Sequence, residues 1–193
     1  TIFDSSWWYK KDFTLTTDQL GKHISLNFDG ISFRANIWLN GQQIASKEET
    51  YGAFKRFEFD VSHLVKENNT LAVEVIRAQQ HEPNIGFVDW NPRPLDESMG
   101  IFREVYLTVE GTVGLRNTWV KSDVNIETLA EAALTIQTDI TNYSDTSLSG
   151  TLYGKIGDIK FSYPISLKAN EKRQVKLTKD EILALNIKNP KLW

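Results

Sequence analysis

The stretch "SFRANIWLNGQQIAS", residues 32–46, decides the fold. Apolar and polar residues alternate along its first half, which is the period-two pattern of a strand with one buried face. The strand runs into Asn40-Gly41, the dipeptide best suited to the positive φ angles of a type I′ turn. The stretch therefore predicts a β-hairpin, and its inward residues are Phe33, Ala35, Ile37 and Leu39.

The same alternation continues on both sides of the hairpin. "HISLNF" (residues 23–28) predicts a strand with Ile24, Leu26 and Phe28 inward and His23 on the solvent face. "KRFEFDVSHLVKENNTLAVEV" (55–75) predicts two more strands separated by a turn, and "EVYLTVEGTVGLRNTWVKSDV" (104–124) predicts strands broken at its glycines. The first part of the chain is thus predicted to be a β-sandwich.

A change in amino-acid composition predicts a domain boundary between residues 117 and 118. Beyond this point aromatic residues become fewer, and Thr, Ser, Ala and Lys become more frequent. In this second part, strands are predicted at about 132–141, 150–156, 159–167 and 172–178, as in a small antiparallel sandwich. Thr178 and Glu181 form a T-x-x-E capping box, which predicts a short helical turn near 179–185. The predicted fold class is all-β, with two sandwiches in series.

Composition excludes several classes of function. The 193 residues contain no cysteine, which excludes disulfides and thiolate chemistry, and the three histidines are too scattered for a typical zinc site. The net charge of −3 argues against nucleic acid as a partner, and no apolar run approaches the roughly 20 residues that cross a membrane. We predict no metal and no cofactor.

The irregular line "GFVDWNPRPLDESMGIFREVYLTVEG" (86–111) interrupts the strand pattern with two prolines, Pro92 and Pro94. Asp89, Trp90 and Asn91 are interpreted as a binding group: a carboxylate accepts hydrogen bonds from hydroxyls or an amine, and an indole provides a stacking wall. The prolines would stiffen the loop. The alternative reading is a rigid surface turn without a ligand.

Four of the five carboxylates in this line raise the possibility of a glycosidase pair, in which one acid protonates the leaving oxygen and the other attacks or activates water. Such a pair needs rigid placement, and a proline-rich loop of a small sandwich predicts little support for it. We therefore expect no autonomous active site among Asp89, Asp96, Glu97 and Glu104.

Aromatic residues are concentrated in the first half of the chain. Most of these rings are expected to lie in the core. Trp38 differs, because by parity it shares a strand face with Arg34 and Asn36 rather than with Ile37 and Leu39. A contact with a neighbouring domain is one interpretation of its position.

Four collinear segments resemble the N-terminal sugar-binding domain of glycoside hydrolase family 2 over roughly residues 6–117. The part from 118 to 193 resembles the immunoglobulin-like domain that follows in these enzymes. The resemblance implies a jelly-roll sandwich and then an immunoglobulin-like sandwich whose final strands are missing. The four segments are "SSWWYKKDFTL", "LNFDGISFRANIWLNGQQI", "FEFDVSHLVKENNTLAVEV" and "SMGIFREVYLTVEG".

The resemblance also implies how the chain works. In the family both catalytic glutamates of a retaining mechanism lie in a (β/α) barrel of the same polypeptide, and no residue here matches them. The expected partners are therefore that barrel and a carbohydrate substrate. A periplasmic or secreted location is slightly favoured by the same resemblance.

The line "DWNPRPLDESMGIFREV" (89–105) resembles the exo-β-D-glucosaminidase branch, although Phe102 stands where tryptophan is more usual. The β-mannosidase branch shares Asp-Trp but follows it with Gly-Pro-Arg, and β-galactosidases share only "GIFR". By this resemblance Asp89 and Trp90 are expected to touch substrate, with Asn91 and Arg93 on the same rim. The alternatives that remain are a free-standing carbohydrate-binding module and a structural pair of sandwiches.

Overall fold

A computed structural model of the chain describes residues 2–79, 81–82, 90 and 93–192. The chain divides into two compact units, Thr1–Glu110 and Gly111–Trp193. The boundary predicted between 117 and 118 falls inside a strand of the second unit, Val113–Val124. Within the described ranges, no helix is long and apolar enough to cross a membrane.

The first unit is an antiparallel sandwich of a four-stranded sheet, in the order β1-β7-β4-β5, and a three-stranded sheet, in the order β6-β2-β9. A short ladder joins β3 to β8. The strands are β1 (Trp7–Thr14), β2 (His23–Phe28), β3 (Ile31–Ser32), β4 (Arg34–Leu39), β5 (Gln42–Ala45), β6 (Phe57–Asp60), β7 (Asn68–Ile76), β8 (Gly100–Ile101) and β9 (Val105–Glu110).

The hairpin predicted at residues 32–46 is confirmed. Strands β4 and β5 pair across the two-residue turn, where Asn40 has φ 53° and Gly41 φ 84°. These positive angles are what a type I′ turn requires and what asparagine and glycine tolerate. The Asn40 side chain also accepts a hydrogen bond from the Thr70 N–H at 2.9 Å and donates one to the Leu64 carbonyl at 2.9 Å. The turn is therefore tied to the neighbouring strand β7.

The core lies between the two sheets and contains the residues that the alternation placed inward. Burial of each such side chain stabilises the fold by roughly 1.5–3 kcal/mol. The predicted inward residues of β2 and β4 are buried, namely Ile24, Leu26, Phe28, Ala35, Ile37 and Leu39.

The prediction that His23 lies on a solvent face is wrong. Strand β2 is the central strand of its sheet. Ser25 and Asn27, on the same face as His23, are buried, and the His23 side chain itself is only 13% exposed. Asn27 donates hydrogen bonds to Thr108 Oγ1 at 2.9 Å and to the Ser25 carbonyl at 3.1 Å, so neighbouring strands cover this face. Alternation identifies the apolar face of a strand, but it does not show that the polar face meets water.

Trp38 lies on the outer face of the four-stranded sheet, as parity predicts, where its ring stacks on that of Trp8. The ring centroids are 5.1 Å apart and the planes are inclined by 26°. Strand β7 runs between the two tryptophans, and the small Ala72 directly opposite Trp38 leaves room for the rings to meet. The aromatic pair contributes beyond its buried area, by roughly 0.5–1.5 kcal/mol.

The second unit contains a sheet in the order β10-β11-β14, with β15 also paired to β11, and a ribbon of β12 and β13. The four strands predicted for this part are confirmed to within two residues, and the all-β class is confirmed for the chain. The strands are β10 (Val113–Val124), β11 (Glu131–Asn142), β12 (Leu148–Ile156), β13 (Ile159–Leu167), β14 (Lys172–Leu177) and β15 (Asn186–Lys188).

The contact predicted between Thr178 and Glu181 is present, but it closes a turn ahead of the helix, whose N-cap residue Ile182 has no side-chain cap. The backbone N–H and the hydroxyl of Thr178 donate to Glu181 Oε2 at 2.8 and 2.6 Å, and these hydrogen bonds lower the pKa of Glu181. The turn that follows is a single turn of 3-10 helix, Leu183–Leu185, whose last residue is buried in the core of the second unit.

Candidate functional site

The predicted site residues fall partly within the described chain. Asp89 and Asn91 lie outside the described residues. Trp90 is described and 85% exposed, which is far more than core packing allows for an indole. Arg93 is half-exposed and belongs to a compact turn, residues 93–99, that leads into β8. Of the four, only Trp90 and Arg93 can be related to their surroundings.

The 93–99 turn is held by local hydrogen bonds. The Glu97 N–H donates to the Pro94 carbonyl at 3.1 Å, the Met99 N–H to the Asp96 carbonyl at 2.9 Å, and the Ser98 N–H to Asp96 Oδ1 at 3.1 Å. Glu97 and Ser98 have φ angles of 52° and 55°, in the left-handed region that non-glycine residues seldom adopt. Unfavourable backbone angles persist only where the surroundings impose them, and they cluster at functional sites.

Glu97 is the charged group that closes this turn. It is only 7% exposed, and its Oε1 lies 2.5 Å from Nε of Arg93, four residues earlier. Its other oxygen, Oε2, is buried and has no hydrogen-bond partner among the described residues. A buried carboxylate is costly unless it is paired, so the half-exposed Arg93 is the group that makes the burial of Glu97 tolerable.

Two arginines connect the segment between β7 and β8 to the body of the sandwich. Arg77 donates to the Leu95 carbonyl at 3.0 Å and to Asp4 Oδ1 at 3.0 Å. Arg34, from β4, forms an ion pair with Glu82. Glu82, near the start of this segment, is therefore fixed to strand β4, and Leu95, near its end, to the residue that follows β7. The planar donors of guanidinium groups suit such multiple contacts.

An aromatic cluster borders the same end of the sandwich. The rings of Phe54 and Phe102 meet edge to face with centroids 6.0 Å apart, and both side chains are exposed. Phe102 follows β8, and its ring lies against Gly30, where an added Cβ would come within 2.8 Å of Cζ. Tyr51 is also exposed and packs edge to face on the buried Phe33. Exposed rings in this number are typical of a surface that contacts a ligand or another domain.

The sequence carries a signal for part of this surface, although most of its aromatic rings are expected to lie in the core. The segment "TYGAFKRF" (50–57) places three aromatic residues beside two cations, and Lys55 Nζ lies 5.9 Å from the Tyr51 ring and 5.1 Å from the Phe57 ring. From the sequence, Glu97 is one of four candidate catalytic carboxylates. No sequence pattern indicated that it would be buried, because its partner lies four residues away outside any helix.

The carboxylates do not form a glycosidase pair among the described residues. Asp96 accepts the Ser98 N–H, Glu97 is buried against Arg93, and Glu104 is exposed beside β9. Asp89 lies outside the described ranges. In the described part of the chain, no group of three or more His, Asp or Glu side chains is placed to hold a metal.

A Ser-His-Asp grouping does occur elsewhere in the first unit, although its sequence spacing did not indicate one. Nε2 of His23 lies 3.3 Å from Ser25 Oγ, and Nδ1 lies 3.8 Å from Asp60 Oδ2. Ser25 is only 1% exposed, so no substrate can reach its hydroxyl. The grouping is therefore structural, since a nucleophile must reach the reacting carbon.

Asp60 in this grouping gives stability that depends on pH. Partial burial raises its pKa, but hydrogen bonds from the Ser62 hydroxyl and N–H at 2.6 and 3.0 Å outweigh this, so the pKa lies below the usual 3.8. A lowered pKa contributes stability above the unfolded value, and that stability is lost as pH falls through the folded pKa. Urea unfolding between pH 6 and 2 measures this effect. The free energy of unfolding of the wild-type protein should decline below about pH 3.8, and that of Ser62→Ala should decline less steeply.

Asp60→Asn is the matched variant for this measurement, because it removes the titrating group and should flatten the same decline. Equal pH profiles for the wild-type protein, Ser62→Ala and Asp60→Asn would show that this carboxylate does not contribute.

The fold is an antiparallel sandwich with exposed aromatic rings, followed by a second β-unit, an architecture that accessory domains of carbohydrate-active enzymes share with many other proteins. Family models decide between these possibilities. Residues 1–85 match the galactose-binding domain-like model of glycosyl hydrolase family 2, and residues 113–193 match the model of glycosyl hydrolases family 2. The chain belongs to glycoside hydrolase family 2 and corresponds to the N-terminal region of such enzymes.

Within this family, the chain is similar to exo-β-D-glucosaminidases. The chain is 34% identical to an exo-β-D-glucosaminidase of Streptomyces avermitilis over 99% of its length and 21% of the relative's. It is 32% identical to an exo-β-D-glucosaminidase of Arthroderma benhamiae, over 98% of the chain and 22% of the relative. The solved structure of the Amycolatopsis orientalis exo-chitosanase CsxA superimposes with a TM-score of 0.88 at 29% identity, over 99% of this chain and 22% of that one. The chain thus spans about a fifth of the length of the relatives it matches.

Proposed function

We propose that this chain is the non-catalytic N-terminal part of a retaining exo-β-glycosidase and that it helps to shape the substrate pocket. A terminal β-D-glucosaminide is the favoured substrate, a β-mannoside is second, and a β-galactoside is less favoured. The observation that carries the proposal is the similarity to exo-β-D-glucosaminidases over nearly the whole chain. Homology to the N-terminal part of these enzymes implies that a catalytic domain lies elsewhere in the polypeptide.

Asp89, Trp90, Asn91 and Arg93 are the residues proposed to line the pocket. The 85% exposure of Trp90 supports this, because an indole held in water gains stability when a sugar ring covers its face. Asp89 is proposed to accept hydrogen bonds, and the amino group of glucosamine is a suitable donor because it is cationic near neutral pH. Asn91 and Arg93 would complete the polar rim.

The described contacts support a positioning role for the turn beside these residues. The ion pair from Arg93 to the buried Glu97, and the contact of Arg77 with the Leu95 carbonyl, fix the chain three to seven residues beyond Trp90. Holding a substrate in the reactive geometry removes an entropic part of the barrier. A pocket wall contributed by a non-catalytic domain acts in this way without performing any bond-breaking step.

Substrate choice tests the proposal directly. The full-length enzyme should hydrolyse p-nitrophenyl β-D-glucosaminide with a kcat/KM at least about 10-fold above those for the matching β-mannoside and β-galactoside, because only the first offers a cation to a carboxylate. A preference for either neutral sugar would contradict the proposed substrate. Absence of any glycosidase activity would contradict the proposed function.

Binding by the 193-residue chain itself separates the pocket-wall role from a free-standing carbohydrate-binding module. Titration with glucosamine, mannose and chitosan oligomers should show negligible binding, because one wall of a pocket buries too little of a sugar to hold it. Tight, saturable binding would identify the chain as a module that acts alone.

A further inference from the structure

A groove of about 480 Å³ opens along one side of the first sandwich, between β1 and β9. Its floor consists of core residues from both sheets, including Leu26, Phe28 and Val73, which are almost fully buried. Its rim carries the exposed rings of Tyr9 and Tyr106. The groove is thus a gap between the edges of two sheets, and it leads directly to the apolar core.

The two strands beside this groove differ in how they protect their edges. Exposed edge strands commonly carry charges, above all lysine, that discourage pairing with other strands. Strand β1 carries Lys10, Lys11 and Asp12 in succession, whereas residues 105–109 of β9, "VYLTV", contain no charge. The remaining outer strands of the two sheets are also protected, because β5 has only four residues and begins with two glutamines, and β6 contains Glu58 and Asp60. Of the four outer strands described in the first sandwich, β9 alone has five successive uncharged residues, and its one charge is at its last residue, Glu110.

The register of β9 shows which of its backbone groups lack a partner. The Asp29 N–H donates to the Glu104 carbonyl at 3.0 Å, just beyond the ladder that pairs β2 with β9. In an antiparallel ladder the hydrogen-bonded positions alternate, so Val105, Leu107 and Val109 direct their N–H and C=O groups away from β2. In the part of the chain that the structure describes, no strand pairs with that side of β9.

We propose that a further β-strand of the same polypeptide, outside residues 1–193, pairs with the free side of β9 and fills this groove. A strand alongside the six residues of β9 would span about 20 Å and direct every second side chain inward, onto the apolar floor. It would make the three-stranded sheet four-stranded, matching the sheet opposite. The relatives are nearly five times as long as this chain, so a polypeptide of their length has residues to supply it.

Amide hydrogen exchange tests the proposal. In the 193-residue chain the amides of Val105, Leu107 and Val109 should exchange as fast as solvent-exposed amides of an edge strand that have no hydrogen-bond acceptor. In the full-length protein they should exchange at least about 100-fold more slowly, because the added strand accepts their hydrogen bonds. Equal exchange rates in the two proteins would overturn the proposal.

A substitution at the rim of the groove tests whether slow exchange of the β9 amides is caused by an added strand or by another part of the protein. Val105 is 36% exposed, so Val105→Lys should leave the melting temperature of the 193-residue chain nearly unchanged. In the full-length protein it should lower the melting temperature by at least about 5 °C, because the lysine would be covered. Gln42→Lys, on the edge strand β5, is the matched control and should be neutral in both proteins. A neutral Val105→Lys in the full-length protein would refute the added strand.

Self-pairing gives a different result in the same experiment. If two copies of the chain join through β9, the 193-residue chain will sediment as a dimer and its β9 amides will become protected as concentration rises. That outcome, or a saturable protection of these amides by added chitosan oligomers, would also overturn the proposal.

Discussion

Replacement of Asp89 by alanine in the full-length enzyme is expected to lower kcat/KM for p-nitrophenyl β-D-glucosaminide by about 10- to 150-fold. This range corresponds to the loss of one hydrogen bond to a charged group, about 1.5–3 kcal/mol. Asp89→Asn should lose less activity, because it keeps an acceptor oxygen but not the charge that attracts a cationic amine. Steady-state kinetics of the two variants measure both effects.

Two controls make this result specific. Asp18→Ala removes an exposed carboxylate from a turn between β1 and β2 and should leave kcat/KM unchanged. Thermal unfolding of Asp89→Ala should match that of the wild-type enzyme. If Asp89→Ala retains full kcat/KM, the pocket-wall role is refuted and the chain is better described as a structural pair of sandwiches.

Arg93→Ala is expected to destabilise the first unit by roughly 1–3 kcal/mol, although the arginine is the more exposed partner of its ion pair. The reason is that Glu97 stays buried when Arg93 is removed, so its charge loses the only described ion-pair partner it has. Glu97→Gln should cost less, because the arginine left behind is half-exposed and can be solvated. Urea unfolding of the 193-residue chain, followed by tryptophan fluorescence, measures the difference.

The double variant Arg93→Ala, Glu97→Gln is the decisive comparison. It should be more stable than Arg93→Ala alone, because neutralising the glutamate removes the uncompensated charge. Additive losses in the double variant would mean that the two side chains act independently and that the ion pair does not hold the turn.

The sequence predicted the sheets well where one face of a strand is apolar and a turn has distinctive chemistry. The Asn40-Gly41 hairpin is the clearest case, since both residues have the positive φ angles that their identity favours. His23 shows the limit of this reasoning, because the polar face of a central strand is covered by side chains of neighbouring strands. Whether the polar face of a strand is buried in this way depends on contacts between strands that are far apart in sequence.

The candidate site was predicted less completely than the fold. Trp90 is exposed, as a binding residue must be, but its exposure does not identify a ligand. The burial of Glu97 could not be predicted, because carboxylates four residues from an arginine usually remain in water outside a helix. The contact of Arg77 with the Leu95 carbonyl joins residues 18 positions apart across an irregular segment. The stacking of Trp38 on Trp8 likewise depends on a third strand lying between them.

The 93–99 turn has a consequence for the order in which the protein is built. Its hydrogen bonds and its ion pair all join residues no more than four positions apart, so closing it costs little chain entropy. Because domains fold as units from the N-terminus during synthesis, this turn can form once β8 has paired with β3. If this turn borders the substrate pocket as proposed, its surface is ordered before substrate arrives, and the free energy of ordering it is not drawn from substrate binding.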